Sequence, residues 1–313
     1  MAARVSGSAG NRRNLKVWLN GRIVKYSDAK VPILTHSLQY GSGIFEGMRA
    51  YEARGGTAIF RLQDHISRFQ RTAKIYSMHI GYTAKELMKA SVQVVRANRL
   101  TSCYIRPFAF YSTDSIGVGA WNAPTSVYIA ALPFGAYYGA GKERGIRCKI
   151  SSWRRINSSI LPVEAKASGN YINSIIANNE AKASGFDETI LLSLDGYVAE
   201  GAAENIFLVK YGHLITPSAS ADILMGVTRD SVIKIAESTG LIVEEREVHK
   251  EELYSADEVF FCGTAAEVTP VINIDGITVG NGKPGPITRL VSQKYTEVVT
   301  GQNKEFVDWL TYV

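Results

Sequence analysis

A lysine set among small residues is the first feature of this chain that could carry out chemistry. Lys166 lies in the segment EAKASGNY (164–171), immediately before a stretch with the apolar periodicity of a helix. A cation near the start of a helix is mildly unfavourable, so its placement needs another reason. A lysine that forms an imine must be partly desolvated so that its amine can be neutral. The segment therefore indicates imine chemistry, with a solvated lysine at a helix start as the alternative.

Two neighbouring carboxylates form the second candidate. Glu200 and Glu204 lie among small and apolar residues in the segment DGYVAEGAAENI (195–206). An acid in such surroundings can face a buried cationic ring nitrogen, keep that nitrogen protonated and so make the ring a better electron sink. The alternative interpretation is a soluble turn whose acids only cap the local backbone.

Two turns that combine glycine and threonine form the third candidate. The sequence GVT (226–228) opens a predicted helix, and the sequence GTAA (263–266) follows the predicted strand VFFC (259–262). Backbone N–H groups in such turns bind phosphate, and the helix dipole favours the negative charge. Thr228 is equally suited to be the N-cap of its helix. The pattern suggests a phosphate site and leaves the structural cap open.

The elements before residue 135 predict an α+β domain. The sequence NG (20–21) between two apolar runs predicts a hairpin. Asp64 is expected to cap a helix that runs to about residue 76. Thr83 and Glu86 have the spacing of a capping box and predict a second helix. Three runs of aromatic and aliphatic residues are predicted strands: 57–62, 103–111 and 126–134.

The elements after residue 135 mix strands and helices. The glycine-rich segment 135–141 predicts a connection between domains. A helix is expected over 170–183, with Ile172, Ile175 and Ile176 facing inward. The other predicted strands are 146–152, 189–194, 197–199, 205–209, 213–216, 241–248, 258–262 and 271–274, and the other predicted helices are 228–238 and 287–299.

Length and composition place these elements in two domains. The chain has 313 residues, which is longer than a single hydrophobic core usually supports. Its hydrophobic content of 46% is typical of a globular protein. We therefore expect an α/β (α+β) fold of two domains. The expected division is a flexible tail at 1–14, a small α+β domain at 15–134, a linker at 135–142 and a larger α/β domain at 143–313.

Several classes of protein are disfavoured by the sequence. The net charge is +6, but Lys and Arg are dispersed, which argues against a nucleic-acid partner. The N-terminus lacks the apolar core of a signal peptide, and prolines and glycines interrupt the uncharged stretch 115–141, so no membrane segment is expected. The three cysteines are far apart, which fits a reducing compartment, and we expect a cytoplasmic protein. The histidines are isolated, so no metal site is predicted.

Taken in order along the chain, five segments resemble the branched-chain amino acid aminotransferases of the fold-type IV class of pyridoxal 5'-phosphate (PLP) enzymes. The resemblance runs from about Val17 to Gly301. Its most specific parts are YGSGIFEG (40–47), YIRP (104–107), AKASGNY (165–171), EGAAEN (200–205) and GTAAEVTP (263–270). The resemblance implies PLP as cofactor, held where a small N-terminal domain meets a larger C-terminal domain.

The resemblance also implies roles on the cofactor side. Lys166 would be the Schiff-base lysine and would relay the proton, whereas Glu200 would bind the pyridine nitrogen. Tyr171 would hydrogen-bond the phenolic oxygen of the cofactor, and Glu204 would have a supporting role. The phosphate would be held by a further set of residues: Arg68, Val227, Thr228 and Thr264.

On the substrate side, the resemblance implies one pocket for both an aliphatic side chain and a carboxylate. Tyr104 would bind the α-carboxylate together with the backbone at Thr264 and Ala265. Arg106 would meet the distal carboxylate of glutamate. The apolar walls would come from Tyr40, Phe45, Tyr137 and Tyr171. Phe134 stands where many relatives have tryptophan, which leaves the breadth of the pocket open, and the segment 112–124 aligns too poorly for assignments.

The activity implied is ping-pong transfer of the amino group of L-leucine, L-isoleucine or L-valine to 2-oxoglutarate. A homodimer or an assembly of dimers is expected. The alternatives with the same fold are a D-amino acid or (R)-amine transaminase and an aminodeoxychorismate lyase. An alternative of a different class is a non-catalytic PLP-binding protein.

Overall fold

The computed structural model describes residues 14–135 and 137–313, which form two compact units. The first unit contains residues 14–135, 165–169 and 298–313, and the second contains residues 137–164 and 170–297. The expected tail at 1–14 lies outside the described residues except for residue 14. No helix of the described chain is long and apolar enough to cross a membrane.

The first unit is built on one antiparallel sheet in the order β17-β5-β4-β6-β7-β1-β2, with β3 paired to β6. The hairpin predicted at the NG turn is confirmed, since Leu19 pairs with Arg22. The strands are β1 (Lys16–Leu19), β2 (Arg22–Lys25), β3 (Gly43–Phe45), β4 (Met48–Ala53), β5 (Gly56–Phe60), β6 (Cys103–Tyr111), β7 (Thr125–Pro133) and β17 (Leu310–Tyr312).

Three helices belong to the first unit: α1 (His36–Tyr40), α2 (Leu62–Ile75) and α3 (Ala84–Asn98). The capping box of Thr83 and Glu86 is present at the start of α3 and confirms that prediction. The prediction that Asp64 caps α2 is wrong, because the N-cap is Arg61 in the left-handed region. Asp64 instead lies in the first turn, where a carboxylate still favours the helix dipole.

The second unit contains a mixed sheet whose strands run in the order β10-β9-β8-β15-β14-β11-β12-β13. Its strands are β8 (Ile146–Arg154), β9 (Glu188–Leu192), β10 (Val198–Gly201), β11 (Asn205–Lys210), β12 (His213–Pro217), β13 (Val243–Arg246), β14 (Glu258–Gly263), β15 (Glu267–Ile274) and β16 (Ile277–Thr278). Because β10 pairs with both β9 and β11, the six strands β10, β9, β8, β15, β14 and β11 form a closed ring. This closure brings the predicted acidic segment between β9 and β14.

The helices of this part of the chain are α4 (Gly141–Arg144), α5 (Tyr171–Ala183), α6 (Val227–Ser238), α7 (Glu252–Ser255) and α8 (Pro286–Val299). The predicted inward face of α5 is wrong, because Ile172 is 59% exposed and Ile175 is 52% exposed within the chain. The buried stripe consists of Ser174, Ala177 and Ala181. Their short side chains let the helix backbone lie close to β8 and β9.

Candidate active site

Lys166 is anchored within the first unit by its own backbone. Its carbonyl oxygen accepts a hydrogen bond of 2.9 Å from the Phe45 N–H, and its N–H donates to the Thr72 hydroxyl at 3.2 Å. A bridge between Ile44 and Ala167 extends this pairing along β3. The position of the lysine is therefore set by β3 on one side and by α2 on the other.

The surroundings of the Lys166 amine favour its neutral form. Burial and the nearby guanidinium of Arg68 lower the pKa of Lys166 to about 8, although the carboxylate of Glu46 opposes the shift. The amine lies 5.1 Å from the centre of the Phe45 ring. An amine with this pKa is available as a nucleophile and as a proton carrier near neutral pH.

Arg68 forms a two-point ion pair with the buried carboxylate of Glu46. Its Nε donates to Glu46 Oε1 at 2.6 Å and its terminal nitrogen donates to Glu46 Oε2 at 3.0 Å. His65, one helical turn earlier on α2, contacts the same Oε2 through Nδ1 at 2.8 Å. This fork fixes the plane of the guanidinium.

The charge balance of this cluster is set by Glu46, which is fully buried. Burial by itself would raise its carboxyl pKa, but Arg68 and His65 together hold the pKa of Glu46 well below its usual range. Burial lowers the pKa of His65, so its ring is neutral and acts as a donor to Glu46. The cluster therefore carries one arginine cation and one carboxylate.

The predicted substrate residues of the first unit come together around Arg106. Its guanidinium donates to the Tyr104 hydroxyl at 3.0 Å and lies 4.7 Å from the centre of the Phe45 ring. Phe134 packs against Tyr104 with ring centres 5.2 Å apart. A Cβ atom on Gly47 would come within 1.9 Å of the Tyr104 hydroxyl, so that position requires glycine.

Tyr40 has a different set of contacts from those of the Arg106 group. Its hydroxyl accepts a hydrogen bond from the Gly117 N–H at 3.1 Å, and its ring packs on His36 at 4.6 Å. His36 also contacts the Gly117 carbonyl through Nε2 at 3.1 Å. Tyr40 thus links α1 to the segment 112–124, to which the sequence assigned no residue.

Glu200 is the central acid of the second unit. It is buried on β10, and its Oε1 accepts from Arg155 Nε at 2.9 Å. Its Oε2 accepts from the Asn205 side chain at 3.2 Å and from the Leu224 N–H at 3.0 Å. Donors on three segments hold the carboxylate and fix its orientation.

The other acid, Glu204, lies in a separate group of buried polar residues. The Tyr138 hydroxyl lies 2.9 Å from Glu204 Oε1 and 3.0 Å from Glu188 Oε2. The Ala203 N–H donates to the second oxygen of Glu204 at 2.9 Å. The sequence indicated Glu204 but neither of its partners.

The glycine-threonine turn lies at the start of α6. The helix begins at Val227, its N-cap is Gly226, and among the described residues no side chain caps it. Thr228 is the second helical residue and is buried, so the alternative that it is the N-cap is wrong. The first N–H groups of a helix are the natural donors to phosphate.

The remaining predicted residues of the second unit lie at the ends of elements. Thr264 and Ala265 form the turn that follows β14, against which α6 packs. Tyr171 is the first residue of α5. Tyr137 packs edge-on against Tyr138, with ring centres 4.8 Å apart.

Glu46, His65 and Arg155 are further buried groups that the sequence did not indicate. Glu46 pairs with Arg68 and Arg155 pairs with Glu200, whereas His65 contacts Glu46. One signal for Glu46 was nevertheless present in the sequence, because this acid lies between Phe45 and Gly47, with no other charged residue beside it. Arg155 shows no such signal, since its partner lies far along the chain.

Comparison with known proteins places these features in a family. The family model for class IV amino-transferases matches residues 43–274. The branched-chain-amino-acid aminotransferase of Escherichia coli (strain K12) is 44% identical over 302 residues, which are 95% of this chain and 97% of that protein.

Solved structures give the same result for the fold. A branched-chain aminotransferase from Thermoproteus uzoniensis with norvaline matches with a TM-score of 0.91 and 47% identity, over 95% of this chain and 98% of that chain. The branched-chain amino acid aminotransferase from Thermobaculum terrenum in its PLP form matches with a TM-score of 0.90 and 37% identity, over 96% of this chain and 98% of that chain. The α/β (α+β) fold expected from the sequence is confirmed.

Proposed function

We propose that this chain, which belongs to the class IV amino-transferase family, is a branched-chain-amino-acid aminotransferase that uses PLP. It transfers the amino group of L-leucine, L-isoleucine or L-valine to 2-oxoglutarate. One observation carries the proposal: the Lys166 amine, with a pKa lowered to about 8, lies in the same unit as the anion-binding fork of Arg68 and the Arg106 group. The names of the relatives support the choice of substrates.

The residues present fit this cofactor. A desolvated lysine suits attachment of an aldehyde, a guanidinium fixed by Glu46 suits a phosphate, and an uncapped helix start adds N–H donors. Glu200 offers an oriented carboxylate to a ring nitrogen. We propose that Lys166, Arg68, Tyr171, Glu200, Val227, Thr228 and Thr264 hold PLP. When bound, the cofactor supplies the electron sink that stabilises negative charge at the substrate α-carbon.

Lys166 performs the proton transfers in the proposed reaction. Its amine would take up and return the proton of the substrate α-carbon, and its lowered pKa would give it a neutral fraction near pH 7. Arg68 would hold the phosphate, so that the cofactor stays in place beside the Lys166 amine during both half-reactions. Glu200 stays ionised through its contacts with Arg155 and Asn205 and so favours a protonated ring nitrogen.

The Arg106 group accounts for the proposed recognition of two kinds of substrate. The guanidinium of Arg106 can pair with the distal carboxylate of glutamate. When an aliphatic substrate is bound, Tyr104 and the face of Phe45 stabilise the same guanidinium. The apolar rings of Phe45 and Phe134 then contact the aliphatic side chain. Tyr40, Tyr137, Thr264 and Ala265 complete the proposed substrate residues.

A screen of amino donors tests this proposal. Purified enzyme with 2-oxoglutarate should form glutamate from L-leucine, L-isoleucine and L-valine, and should do so much more slowly from the matching D-amino acids. Faster turnover of D-amino acids or of (R)-amines would replace the proposal with another activity of the same fold. Absence of transamination with all donors would indicate a protein that only binds the cofactor.

Two further features are proposed on other observations. We propose a homo-oligomer, because the first unit exposes large apolar side chains on α1 and on the segment 112–124, among them Leu38 at 65% and Val118 at 82%. Contacts from His36 and Tyr40 to Gly117 bring these two segments together. We also propose a cytoplasmic location, which fits three buried cysteines without disulfides.

A further inference from the structure

The hydroxyl of Tyr138 lies between two buried carboxyl groups in the second unit. Its oxygen is 3.0 Å from Glu188 Oε2 and 2.9 Å from Glu204 Oε1. Both distances are those of a hydrogen bond between oxygen atoms. Glu188 and Glu204 are both buried, so bulk water does not compete for these contacts.

The number of hydrogen atoms decides the charge of this group. A tyrosine hydroxyl has one hydrogen, whereas an ionised carboxylate can only accept. If both carboxyl groups were ionised, one of the two contacts would join two oxygens with no hydrogen between them. Such a contact is repulsive, and a buried charge without a donor is strongly disfavoured. It follows that one of the two carboxyl groups carries a proton and donates a hydrogen bond to the Tyr138 oxygen.

The donors around each carboxyl group show which one is protonated. Glu188 accepts from the Asn178 side chain at 2.5 Å and from the Thr189 N–H at 2.9 Å, in addition to Tyr138. Glu204 contacts Tyr138 and accepts from the Ala203 N–H. Donors stabilise the ionised form, so Glu188 is the better carboxylate. The hydrogen bonds then run from Glu204 to Tyr138 and from Tyr138 to Glu188.

The charged surroundings support the same assignment. Burial and the charge of Glu188 raise the pKa of Glu204 to about 8, and Glu200 adds to the rise. Burial also raises the pKa of Glu188, but hydrogen bonds from Thr189, Asn178 and Tyr138 oppose that shift, and so does the cation of Lys182. Cys148 interacts with both carboxyl groups and Cys262 with Glu204, whereas Tyr137 interacts with Tyr138. Asp187 and Arg229 act on these two cysteines.

We propose that Glu204 is held as a neutral carboxylic acid by Tyr138 and Glu188, and that it acts as a positioning residue for Glu200. The two acids are joined by the short connection between β10 and β11, where the Gly201 N–H donates to the Glu204 carbonyl at 2.7 Å. A neutral Glu204 places no second negative charge beside Glu200, with which it interacts electrostatically. The part of the inference that concerns Glu200 rests on the proposed function; the protonation of Glu204 does not.

The proton is tested first on the wild-type protein without cofactor. At neutral pH its infrared spectrum should contain the carbonyl stretch of a protonated carboxyl group, which shifts in deuterated water. The band should be lost in Glu204→Gln. A wild-type spectrum without this band at pH 7 overturns the proposal, and that result needs no variant to fold.

The pH dependence of the free energy of unfolding distinguishes a protonated Glu204 from a residue that only packs in the core. A carboxyl group whose pKa is raised on folding contributes stability that is complete below its unfolded pKa of about 4.3 and is lost as the pH rises through about 8. Glu204→Gln, which mimics the neutral acid, should remove this loss. Its melting temperature should gain on that of the wild type between about pH 5 and about pH 9. A difference in melting temperature between the two proteins that stays constant over this pH range contradicts a protonated Glu204.

The matched variant Glu188→Gln tests which residue carries the proton. In that variant the introduced amide donates to the Tyr138 oxygen and Tyr138 donates its hydrogen bond to Glu204, which releases its proton to solvent and becomes ionised beside Glu200. Since a second negative charge favours protonated groups, the pH titration of the bound cofactor's absorption should shift upward, whereas Glu204→Gln should leave it unchanged. A shift in Glu204→Gln with none in Glu188→Gln overturns the assignment. Because the infrared result is obtained without cofactor, its outcome does not depend on the proposed function.

Discussion

The candidate site of the first unit gathers three cations near one buried carboxylate. Lys166, Arg68 and Arg106 are close enough for both arginines to lower the pKa of the lysine. The carboxylate of Glu46 pairs with Arg68 and so offsets one of these charges. The excess of positive charge is relieved when Lys166 loses its proton.

The candidate site of the second unit has the opposite imbalance. Glu200, Glu204 and Glu188 are all buried, and Arg155 pairs with Glu200. The excess of negative charge is relieved when Glu204 keeps its proton. In each site, burial and neighbouring groups of like charge favour the neutral form of one residue. The pKa of Lys166 falls to about 8 beside the two arginines, and the pKa of Glu204 rises to about 8 beside the two other glutamates.

The largest effect is expected from removing the amine of the first site. Lys166→Ala should abolish turnover, because both the attachment to the cofactor and the proton transfers are lost. Its visible spectrum should change to that of free PLP, while phosphate contacts through Arg68 still retain the cofactor. Lys149→Ala, on β8, serves as a control with normal activity. A wild-type spectrum in Lys166→Ala would mean that a different lysine binds PLP.

The next effect concerns the central acid of the second site. Glu200→Gln should keep the cofactor bound and lower turnover by roughly 10²-fold or more, because an amide does not hold a protonated ring nitrogen. The matched change is Glu204→Gln, which we expect to be nearly silent. Steady-state rates of the two variants give the comparison. If Glu204→Gln is the slower of the two, the roles of the acids must be exchanged.

A smaller and selective effect is expected at Arg106. Arg106→Met should slow the half-reaction with glutamate by a free energy on the order of 2 kcal/mol, since a charge-assisted contact to the distal carboxylate is lost. The half-reaction with leucine should change much less. Stopped-flow measurement of both half-reactions provides the ratio. Arg49→Met, at a second arginine near Phe134, should affect both substrates alike. Equal slowing in Arg106→Met would make Arg106 structural.

The smallest effect on turnover is expected at Glu46. Glu46→Gln should weaken cofactor binding by roughly tenfold, because Arg68 loses a charged partner that fixes its plane. It should also lower the pKa of Lys166 further, since Glu46 raises that pKa. Titration of the cofactor-free protein with PLP measures the affinity. His65→Asn keeps a donor to Glu46 and should leave the affinity near the wild-type value; equal losses in both variants would reduce the cluster to packing.

Features carried by adjacent residues could be predicted from the sequence. The NG turn and the capping box of Thr83 and Glu86 depend on a few neighbouring positions, and both are present. The buried face of α5 could not be predicted in the same way. Hydrophobic periodicity favoured the stripe of Ile172 and Ile175, whereas close packing on the sheet selected the stripe of small residues.

The site shows the same limit. Lys166 and Glu200 stood out because of the residues around them, whereas Arg68 was named only through the resemblance to a family, and the roles of all three remain predictions. Their partners Glu46 and Arg155 come from distant parts of the chain. Such pairings are set by the fold, because the closed ring of strands and the packing of α2 on β3 decide which buried charges meet.

The most direct test of the proposed chemistry is to find which lysine bears the cofactor. The enzyme with PLP is reduced with borohydride, which fixes the lysine–cofactor bond, and is then digested and mapped by mass spectrometry. We expect the modification on Lys166, in the peptide that contains the sequence AKASGNY, and its loss when L-leucine is added before the reduction. Modification of another lysine, or of several surface lysines to similar extents, would contradict the assignment of Lys166.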